Sequence, residues 1–532
     1  MESFRLLYPP GHSPQGPAMP DFAFLHTLQI DRMVTLPRES ARGLPDLELE
    51  QFVSCDEAVL AWRGELFREL SETPALAALV EDAIPLIRDV YELRKVVKRT
   101  DGSLESGLAS TRYLEMYLEL TELFHTRLAG ITPQSDAVQL LKQQITARCE
   151  SEDYRSLQRQ LAAVEQQLGR VKSITLGVNL DGSLQVREAG LLALHDAPYR
   201  QGSLMDRLTG RAANDPMVCM SAFAPVAKAG REEDKAALNA AVHRALSAVF
   251  ARTIRSWEPA IAQYFHDETK FFIDLLDDLR FIAAALRFLR SLHEAGCVTC
   301  RPRVAPMGER TTRLTNLRNP MLALTAPGET VVANDLTFAP DGRFYLITGP
   351  NHGGKSIFCY AVGMAQALFQ LGLPVPADSA TLSPVSGIYT HFPTSDENNY
   401  GKGRLESECA RLSEIMHVLR PTDLLLMDES FSSTSLLEGS YIAGEVLRAV
   451  AVIGCSGLYV THIHELTQHV AEYNATPGAT GCIDNLVAQM QSVADGTRSY
   501  RVLRTTPDGL SYARDIARKY GLSCEEILGR EV

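Results

Sequence analysis

Hydrophobic and polar positions recur with two different periods along the chain. From about 46 to 172, apolar residues such as Leu60, Leu66 and Leu70 recur at helical spacing with polar residues between them, which predicts helices. From 301 to 532, short apolar runs alternate with helical patterns, which predicts strands and helices in turn. The pattern therefore predicts a multidomain protein, with a helical part followed by an α/β part.

A hairpin is predicted inside the helical part. Two apolar runs at 173–196 flank Asp181-Gly182, a dipeptide typical of a two-residue hairpin turn. Helical patterns resume at about 232 and end at Gly296, a residue type that favours a helix terminus. The first 45 residues are rich in proline and glycine and predict an irregular segment. We expect three regions, namely 1–45, 46–300 and 301–532.

Composition narrows the class of protein. The chain has 532 residues, of which 45% are hydrophobic and 22% charged, as in ordinary globular proteins of two to four domains. The net charge of -13 argues against a generally basic nucleic-acid coat, although a local basic surface stays open. The sequence shows neither a signal peptide nor a membrane span, and its ten scattered cysteines favour reduced thiols, so we expect a cytoplasmic protein. Cys297 and Cys300 form a lone CxxC, for which ordinary thiols are favoured over a metal or redox site.

The strongest chemical motif follows the apolar run Phe344–Ile347. The sequence GPNHGGKS fits G-x-x-x-x-G-K-[ST] and precedes a helical pattern, the context that a phosphate-binding loop requires and a chance glycine turn lacks. Glycines allow backbone N–H groups to converge on phosphate oxygens, and the following helix adds positive charge at its N-terminus. Lys355 would reach the β- and γ-phosphates of ATP, and Ser356 would bind Mg²⁺. The predicted nucleotide-binding residues are Gly349, Pro350, Asn351, His352, Gly353, Gly354, Lys355 and Ser356.

Two further strand ends carry candidate catalytic groups. Asp428 and Glu429 follow the apolar run Leu424–Met427, at the strand edge where ligands bind in parallel sheets. We expect Asp428 to bind Mg²⁺ and Glu429 to orient or deprotonate the attacking water. A solvated turn is the alternative for such an acidic pair taken alone. His462 follows the run Gly457–Val460 and would sense the γ-phosphate or position the nucleophile, or else satisfy a local backbone group.

In this order, GPNHGGKS, LLLMDES and YVTHIHELT resemble the ATPase domain of the MutS mismatch-repair family. RNPML followed by VVANDL resembles the family's strand before the loop, and the tail that begins NLVAQMQSV resembles its closing hairpin and a helix after it. The resemblance covers roughly 310–525, and it continues weakly into the helical half. It implies an α/β ABC-type P-loop ATPase domain preceded by a helical core and lever region. It also implies ATP and Mg²⁺ as cofactors, DNA as a partner and a homodimer with composite nucleotide sites.

The chain departs from the family pattern at several places. Gly403 stands where the family's signature serine is expected in the loop 401–408, and the loop after Glu429 lacks an arginine but keeps Thr434, Ser435, Glu438 and Gly439. Val331 replaces an aromatic residue that would stack on adenine. The sequence before residue 50 lacks the Phe-x-Glu wedge and is too short for a mismatch-recognition domain, so the chain resembles shortened members.

Two functions follow as expectations. The first is a dimeric DNA clamp in mismatch repair or recombination, in which ATP binding and hydrolysis control DNA binding, with mismatched, branched and plain duplex DNA all open. The second is an ABC-type switch that organises protein partners without specific DNA recognition. A basic cluster in a helical stretch offers candidate phosphate contacts, although on sequence alone a solvated helix face is favoured over a specific DNA site. Its members are Arg94, Lys95, Lys98 and Arg99.

Overall fold

The computed structural model describes residues 4–12, 19–36, 44–97, 104–201, 268–326, 331–393, 404–432, 434–492 and 497–505, with a few short pieces between 218 and 246 and after 520. The chain divides into two compact units. The first consists of Met1–Phe4, Ala78–Thr132 and Leu140–Asp277, and the second of Arg5–Ala77, Pro133–Gln139 and Asp278–Val532. The predicted boundaries near 45 and 300 stay predictions.

The secondary structure is mixed, as the predicted fold class requires. The helices are α1 (Ala23–Thr27), α2 (Ile30–Met33), α3 (Glu57–Glu72), α4 (Pro74–Val97), α5 (Leu104–Ala129), α6 (Asp136–Glu150), α7 (Glu152–Gly169), α8 (Glu268–Glu294), α9 (Pro320–Thr325), α10 (Lys355–Gln370), α11 (Arg404–Val418), α12 (Leu436–Ile453), α13 (Glu465–Gln468) and α14 (Val470–Asn474), with 3-10 turns at Leu49–Phe52 and Met307–Glu309. The strands are β1 (Ser173–Leu180), β2 (Val186–His195), β3 (Arg200–Gln201), β4 (Val218–Cys219), β5 (Arg303–Val304), β6 (Thr312–Leu317), β7 (Asn334–Phe338), β8 (Phe344–Thr348), β9 (Ser379–Leu382), β10 (Ile388–His391), β11 (Leu424–Asp428), β12 (Ser456–Val460), β13 (Ile483–Ser492) and β14 (Thr497–Arg504). Within the described ranges, no helix has the length and apolar character needed to cross a bilayer.

The first unit is mainly helical, in agreement with the periodicity. Aromatic rings fill its core: the ring centroids of Tyr117 and Phe124 lie 5.9 and 5.5 Å from that of Phe272. The polar stretch from 137 to 171 is divided into α6 and α7. The break occurs at Ser151, whose hydroxyl accepts a hydrogen bond from the Tyr154 N–H at 3.1 Å and so caps α7.

The hairpin near 173–196 is present, but the predicted two-residue turn is wrong. β1 and β2 pair in antiparallel register from Ser173 opposite His195 to Leu180 opposite Val186. Between them the Asp181 carboxylate accepts hydrogen bonds from the N–H groups of Ser183 and Gln185 at 2.8 and 3.0 Å. The left-handed residue is Leu184, with φ of 61°. The aspartate therefore stabilises a longer turn, in which the glycine is not the left-handed residue.

A six-stranded sheet organises the second unit and brings three strand ends together. Its order is β10-β11-β12-β8-β13-β14, in which all neighbours are parallel except the β13–β14 pair. Every residue of β8, β11 and β12 is buried, which explains their unbroken apolar runs. Asp428 pairs with Val460, and Val460 pairs with Ile347, so the carboxyl ends of these strands lie side by side.

The strand β7 before the loop and the hairpin of β13 and β14 agree with two sequence expectations. β7 contains Asn334, Asp335 and Leu336 of the VVANDL sequence, is a strand before the loop and belongs to a four-stranded sheet of order β5-β9-β6-β7. β13 and β14 form the expected closing hairpin. The helix predicted in the tail beyond this hairpin lies outside the described residues.

The described part of the N-terminal segment, for which an irregular conformation is predicted, is packed into the second unit. Its described part contains only the short helices α1 and α2, yet Leu7, Leu28 and Ile30 are completely buried. The fully buried Arg63 of α3 donates hydrogen bonds to the carbonyls of Leu7 at 3.1 Å and Phe52. The segment therefore contributes core to the unit that contains the six-stranded sheet.

Candidate nucleotide site

The phosphate-loop motif Gly349–Ser356 lies between the buried strand β8 and helix α10. Gly349 has φ of 124°, and a Cβ at this position would lie 2.8 Å from the Ala488 carbonyl oxygen of β13. Gly354 has φ of 87° and forms the N-cap of α10. Both positions require glycine, since L side chains rarely adopt these conformations. The first N–H groups of α10 point into the loop, because the first N–H groups of any helix have no carbonyl acceptor in a preceding helical turn.

Lys355 occupies the centre of this loop. Its Nζ donates hydrogen bonds to the carbonyls of Gly349 at 2.8 Å and Pro350 at 3.0 Å, and the residue is 5% exposed. Burial lowers the pKa of Lys355, while the carboxylates of Glu429 and Asp428 oppose that shift. The loop therefore holds the Lys355 ammonium group beside the carboxyl ends of the strands.

Ser356 and Asp428 meet across the adjacent elements. The Ser356 hydroxyl donates a hydrogen bond to the Asp428 carboxylate at 2.9 Å, and Asp428 is 6% exposed. Burial raises the pKa of Asp428 to about 6; the Ser356 hydrogen bond opposes the shift, and the Glu429 carboxylate adds to it. A bound cation would stabilise the ionised form of such a buried carboxylate.

The oxygens of Ser356 and Asp428 fit Mg²⁺, which prefers hard oxygen ligands and keeps several water or phosphate ligands of its own. In the part of the chain that the structure describes, no cluster of three or more histidine, cysteine or acidic residues offers a complete protein cage for a metal. Two protein oxygens beside a phosphate loop suit a metal that arrives with a nucleotide. Cys297 and Cys300 are free thiols, and burial raises the pKa of each.

Glu429 and His462 form the solvent-facing side of the site. The His462 Nε2 lies 2.6 Å from a Glu429 carboxylate oxygen, and the two side chains are 38% and 39% exposed. Glu429 has a left-handed backbone with φ of 49°, and its N–H donates to the Val460 carbonyl at 2.9 Å. This conformation turns the carboxylate from β11 toward the end of β12, where His462 begins the next loop. A carboxylate and an imidazole here can bind and orient water.

Of the two other loops that the family resemblance singles out, the structure describes one in part. Gly401, Lys402 and Gly403 lie outside the described residues. Thr434 and Ser435 donate hydrogen bonds to the Glu438 carboxylate at 2.5 and 2.9 Å, and Ser435 is the N-cap of α12. In the described structure their contacts therefore belong to the start of this helix.

The predicted DNA-contact cluster stays a prediction. Lys95, near the C-terminus of α4, forms an ion pair with Glu92 at 2.7 Å. Its ammonium also lies 4.3 Å from the centre of the Tyr91 ring. Lys98 and Arg99 fall outside the described residues.

Two residues near the site were missed by sequence reasoning. His391 ends β10 and is 2% exposed, with Nδ1 2.6 Å from the Ser430 hydroxyl. Its position as the polar last residue of an apolar strand is a signal that could have found it, as it did for Asp428. Arg498 of β14 donates a hydrogen bond to the Asn351 carbonyl at 3.1 Å. No local pattern marks this arginine, because the β13–β14 hairpin brings it to the loop.

Comparison with known proteins supports the resemblance. The sequence model of MutS domain V matches residues 345–521. The DNA mismatch repair protein MutS of Lactobacillus delbrueckii subsp. bulgaricus is 32% identical over 170 residues, which are 32% of this chain and 20% of that protein. Endonuclease MutS2 of Streptococcus equi subsp. equi is 31% identical over 216 residues, which are 40% of this chain and 26% of that protein.

A eukaryotic relative matches in the same way. The DNA mismatch repair protein msh-2 of Neurospora crassa is 33% identical over 175 residues, which are 32% of this chain and 19% of that protein. In each case the matched part spans about a quarter or less of the relative's own length. The shared part includes the loop, both strand-end motifs and the sheet that holds them. Over residues 345–521 the chain is therefore similar to MutS domain V, as it is to these relatives of the MutS family.

Proposed function

We propose that this chain is a MutS-related ATPase, with an ABC-type P-loop domain that binds ATP with Mg²⁺ and hydrolyses it. One observation carries the proposal: the carboxyl ends of β8, β11 and β12 lie side by side and present the loop around Lys355, the Ser356–Asp428 pair and the Glu429–His462 pair. Phosphate binding, metal binding and water activation are the functions that ATP hydrolysis requires.

The loop and the metal pair would hold the triphosphate. The N–H groups at the start of α10 donate to phosphate oxygens, and Lys355 exchanges its loop carbonyls for β- and γ-phosphate oxygens. Ser356 and Asp428 would hold Mg²⁺, which would supply positive charge to neutralise the charge that develops on the phosphate. Burial raises the pKa of Asp428 to about 6, so the carboxylate is mostly ionised at neutral pH, and a bound cation would offset the cost of its burial.

Glu429 acts as the general base in this proposal. One of its carboxylate oxygens accepts the hydrogen bond from His462, which leaves the other oxygen free to receive a proton from water. His462 fixes the rotation of the carboxylate and adds a donor near the γ-phosphate position. Both side chains are partly exposed, so water reaches them.

A matched pair of histidine variants tests this assignment. His469 and Glu472 form a similar partly exposed pair at 2.9 Å in the helical segment after His462. His462→Ala should lower kcat with a smaller effect on ATP affinity, whereas His469→Ala should leave both unchanged. Steady-state ATPase assays and titration of ATP binding measure the two quantities. An unchanged rate in His462→Ala would remove this residue from the mechanism.

We also propose that two copies pair through their ATPase domains and that the helical part forms levers which close around DNA. The relatives named as DNA mismatch repair proteins support this step, together with the helical character of the first unit. ATP binding and hydrolysis would switch the clamp between states of different DNA affinity. Glu429→Gln with ATP should trap the dimer, which light scattering after gel filtration detects.

The DNA test compares ATPase rates without DNA and with duplex, mismatched duplex and a four-way junction at two salt concentrations. A change of rate that weakens at higher salt supports the clamp, since phosphate contacts release counterions. The structure that acts at the lowest concentration identifies the DNA class. No binding and no rate change with any DNA would refute this part of the proposal.

The second candidate function is an ABC-type switch that organises protein partners without specific DNA recognition. The net charge of -13 is the observation that favours it. A preserved ATP-dependent dimer with no response to any DNA would select this function over the clamp.

A further inference from the structure

The turn that carries Glu429 has an unusual backbone. Glu429 has φ of 49° and Phe431 has φ of 65°, so two residues with side chains adopt left-handed conformations on either side of Ser430. Such residues persist only where the surroundings hold them firmly, and they concentrate at functional sites. The contacts around Ser430 are therefore important for the direction of the Glu429 carboxylate.

His391 makes the first of these contacts from the neighbouring strand. Its Nδ1 lies 2.6 Å from the Ser430 hydroxyl, and its Nε2 lies 3.2 Å from the backbone carbonyl oxygen of Glu408 in α11. A carbonyl only accepts, so the ring proton lies on Nε2, and Nδ1 accepts the Ser430 proton. Burial lowers the pKa of His391 to about 4, which agrees with this neutral ring at pH 7.

Two more bonds fasten the same turn. The Phe431 N–H donates to the Glu408 side-chain carboxylate at 3.0 Å. The Tyr459 hydroxyl donates to the Ser430 carbonyl at 3.0 Å. The Phe431 ring is 2% exposed, and its centre lies 6.2 Å from that of the His391 ring. The turn is thus bound by β10, α11 and β12 at once.

On the basis of the proposed ATPase function, we propose that His391 is a positioning residue, which acts through Ser430 to hold the left-handed turn that presents Glu429 to His462. Glu408 provides the second attachment, through its carbonyl to His391 and its carboxylate to Phe431. Helix α11 is therefore attached at two points to the structure that holds the Glu429 turn. A shift of α11 would change the direction of the Glu429 carboxylate. His391 itself touches none of the reacting atoms.

Kinetics provide the first test. His391→Phe keeps a ring but removes both hydrogen bonds, and Ser430→Ala removes the hydroxyl alone. Each should lower kcat by about 10- to 100-fold, because a catalytic group displaced by about 1 Å loses activity on this scale. KM for ATP should change much less, because the phosphate loop is untouched. Ser383→Ala is the matched control: Ser383 is also 2% exposed and donates to the Pro306 carbonyl at 2.7 Å, and its loss should leave kcat unchanged.

A spectroscopic test does not depend on hydrolysis. The ¹⁵N chemical shifts of the His462 ring, assigned with His462→Gln in histidine-labelled protein, report its 2.6 Å contact with Glu429. In nucleotide-free protein at fixed pH they should change in His391→Phe and Ser430→Ala, and stay at wild-type values in Ser383→Ala.

The outcomes separate this inference from the proposed function. Loss of kcat together with changed His462 shifts supports the positioning role. Wild-type shifts in both site variants overturn it, even if kcat falls. If wild-type protein hydrolyses no ATP, the proposed function fails, and the shift comparison still decides whether His391 holds the turn.

Discussion

Asp428→Asn should stabilise the metal-free protein at neutral and alkaline pH. The wild-type carboxylate is 6% exposed and lies near the Glu429 carboxylate, so its ionisation is unfavourable without a cation. Asparagine has nearly the same shape and keeps an oxygen that accepts the Ser356 hydroxyl proton. The substitution therefore removes a charge while it preserves the local hydrogen bond.

The pKa shift gives the size of the effect. The pKa of Asp428 is raised from 3.8 to about 6, a difference of about 2 units, which corresponds to about 3 kcal/mol as an upper limit. Because the folded pKa is the higher one, the folded state binds the proton more tightly than the unfolded state. The stabilisation is fully present below pH 3.8 and is lost as pH rises through about 6. Wild-type protein therefore loses up to about 3 kcal/mol by pH 8, and Asp428→Asn does not.

Urea denaturation in EDTA at pH 5 and pH 8 measures this difference. The unfolding free energy of Asp428→Asn should exceed that of wild type at pH 8, with about half of the gain at pH 5. Asp341→Asn is the control, since Asp341 is exposed and its ion pair with Arg504 lowers its pKa, so no gain is expected. Added ATP and Mg²⁺ should stabilise wild type far more than Asp428→Asn. A variant that is no more stable than wild type at pH 8 would refute the reasoning.

Three other substitutions test separate parts of the second unit. Lys355→Ala should abolish ATP binding in calorimetric titration, because the loop loses its central cation, and retained affinity would contradict the loop assignment. Glu429→Gln should keep ATP binding but slow single-turnover hydrolysis, and normal turnover would remove Glu429 as the base. Ser435→Ala removes the N-cap of α12 and should lower the unfolding free energy, measured by urea denaturation, by about 0.5–2 kcal/mol. Ser413→Ala, at an exposed position, is the control and should leave the unfolding free energy unchanged.

The local part of the candidate site was predictable from sequence. A buried parallel strand is apolar throughout, and its first polar residue lies at the carboxyl edge, so Asp428 and His462 were marked by their own neighbours in the chain. The loop was recognised because its glycines, lysine and serine have fixed spacing. These features depend on backbone conformation within a few residues.

The unpredicted features depend on contacts between distant segments. Arg498 reaches the loop only because β13 pairs with β8 and returns as β14. His391 contacts Ser430 across two parallel strands, a pairing that no periodicity specifies. The hairpin turn was predicted too short because the Asp181 side chain, rather than the following glycine, determines its length.

The buried N-terminal segment has a consequence for synthesis on the ribosome. Phe52 and Arg63 emerge early, but the Leu371 carbonyl, which also accepts a hydrogen bond from Arg63, emerges 308 residues after Arg63, and the β11 strand emerges later still. At roughly 5–20 residues per second, these N-terminal core segments wait on the order of tens of seconds for their partners. During that interval Leu7, Leu28 and Ile30 lack the interior that covers them in the finished protein. The nascent chain should therefore bind a chaperone before its last third is translated. Translation from a start site after residue 63 would produce the six-stranded sheet without the N-terminal segment that packs into its unit.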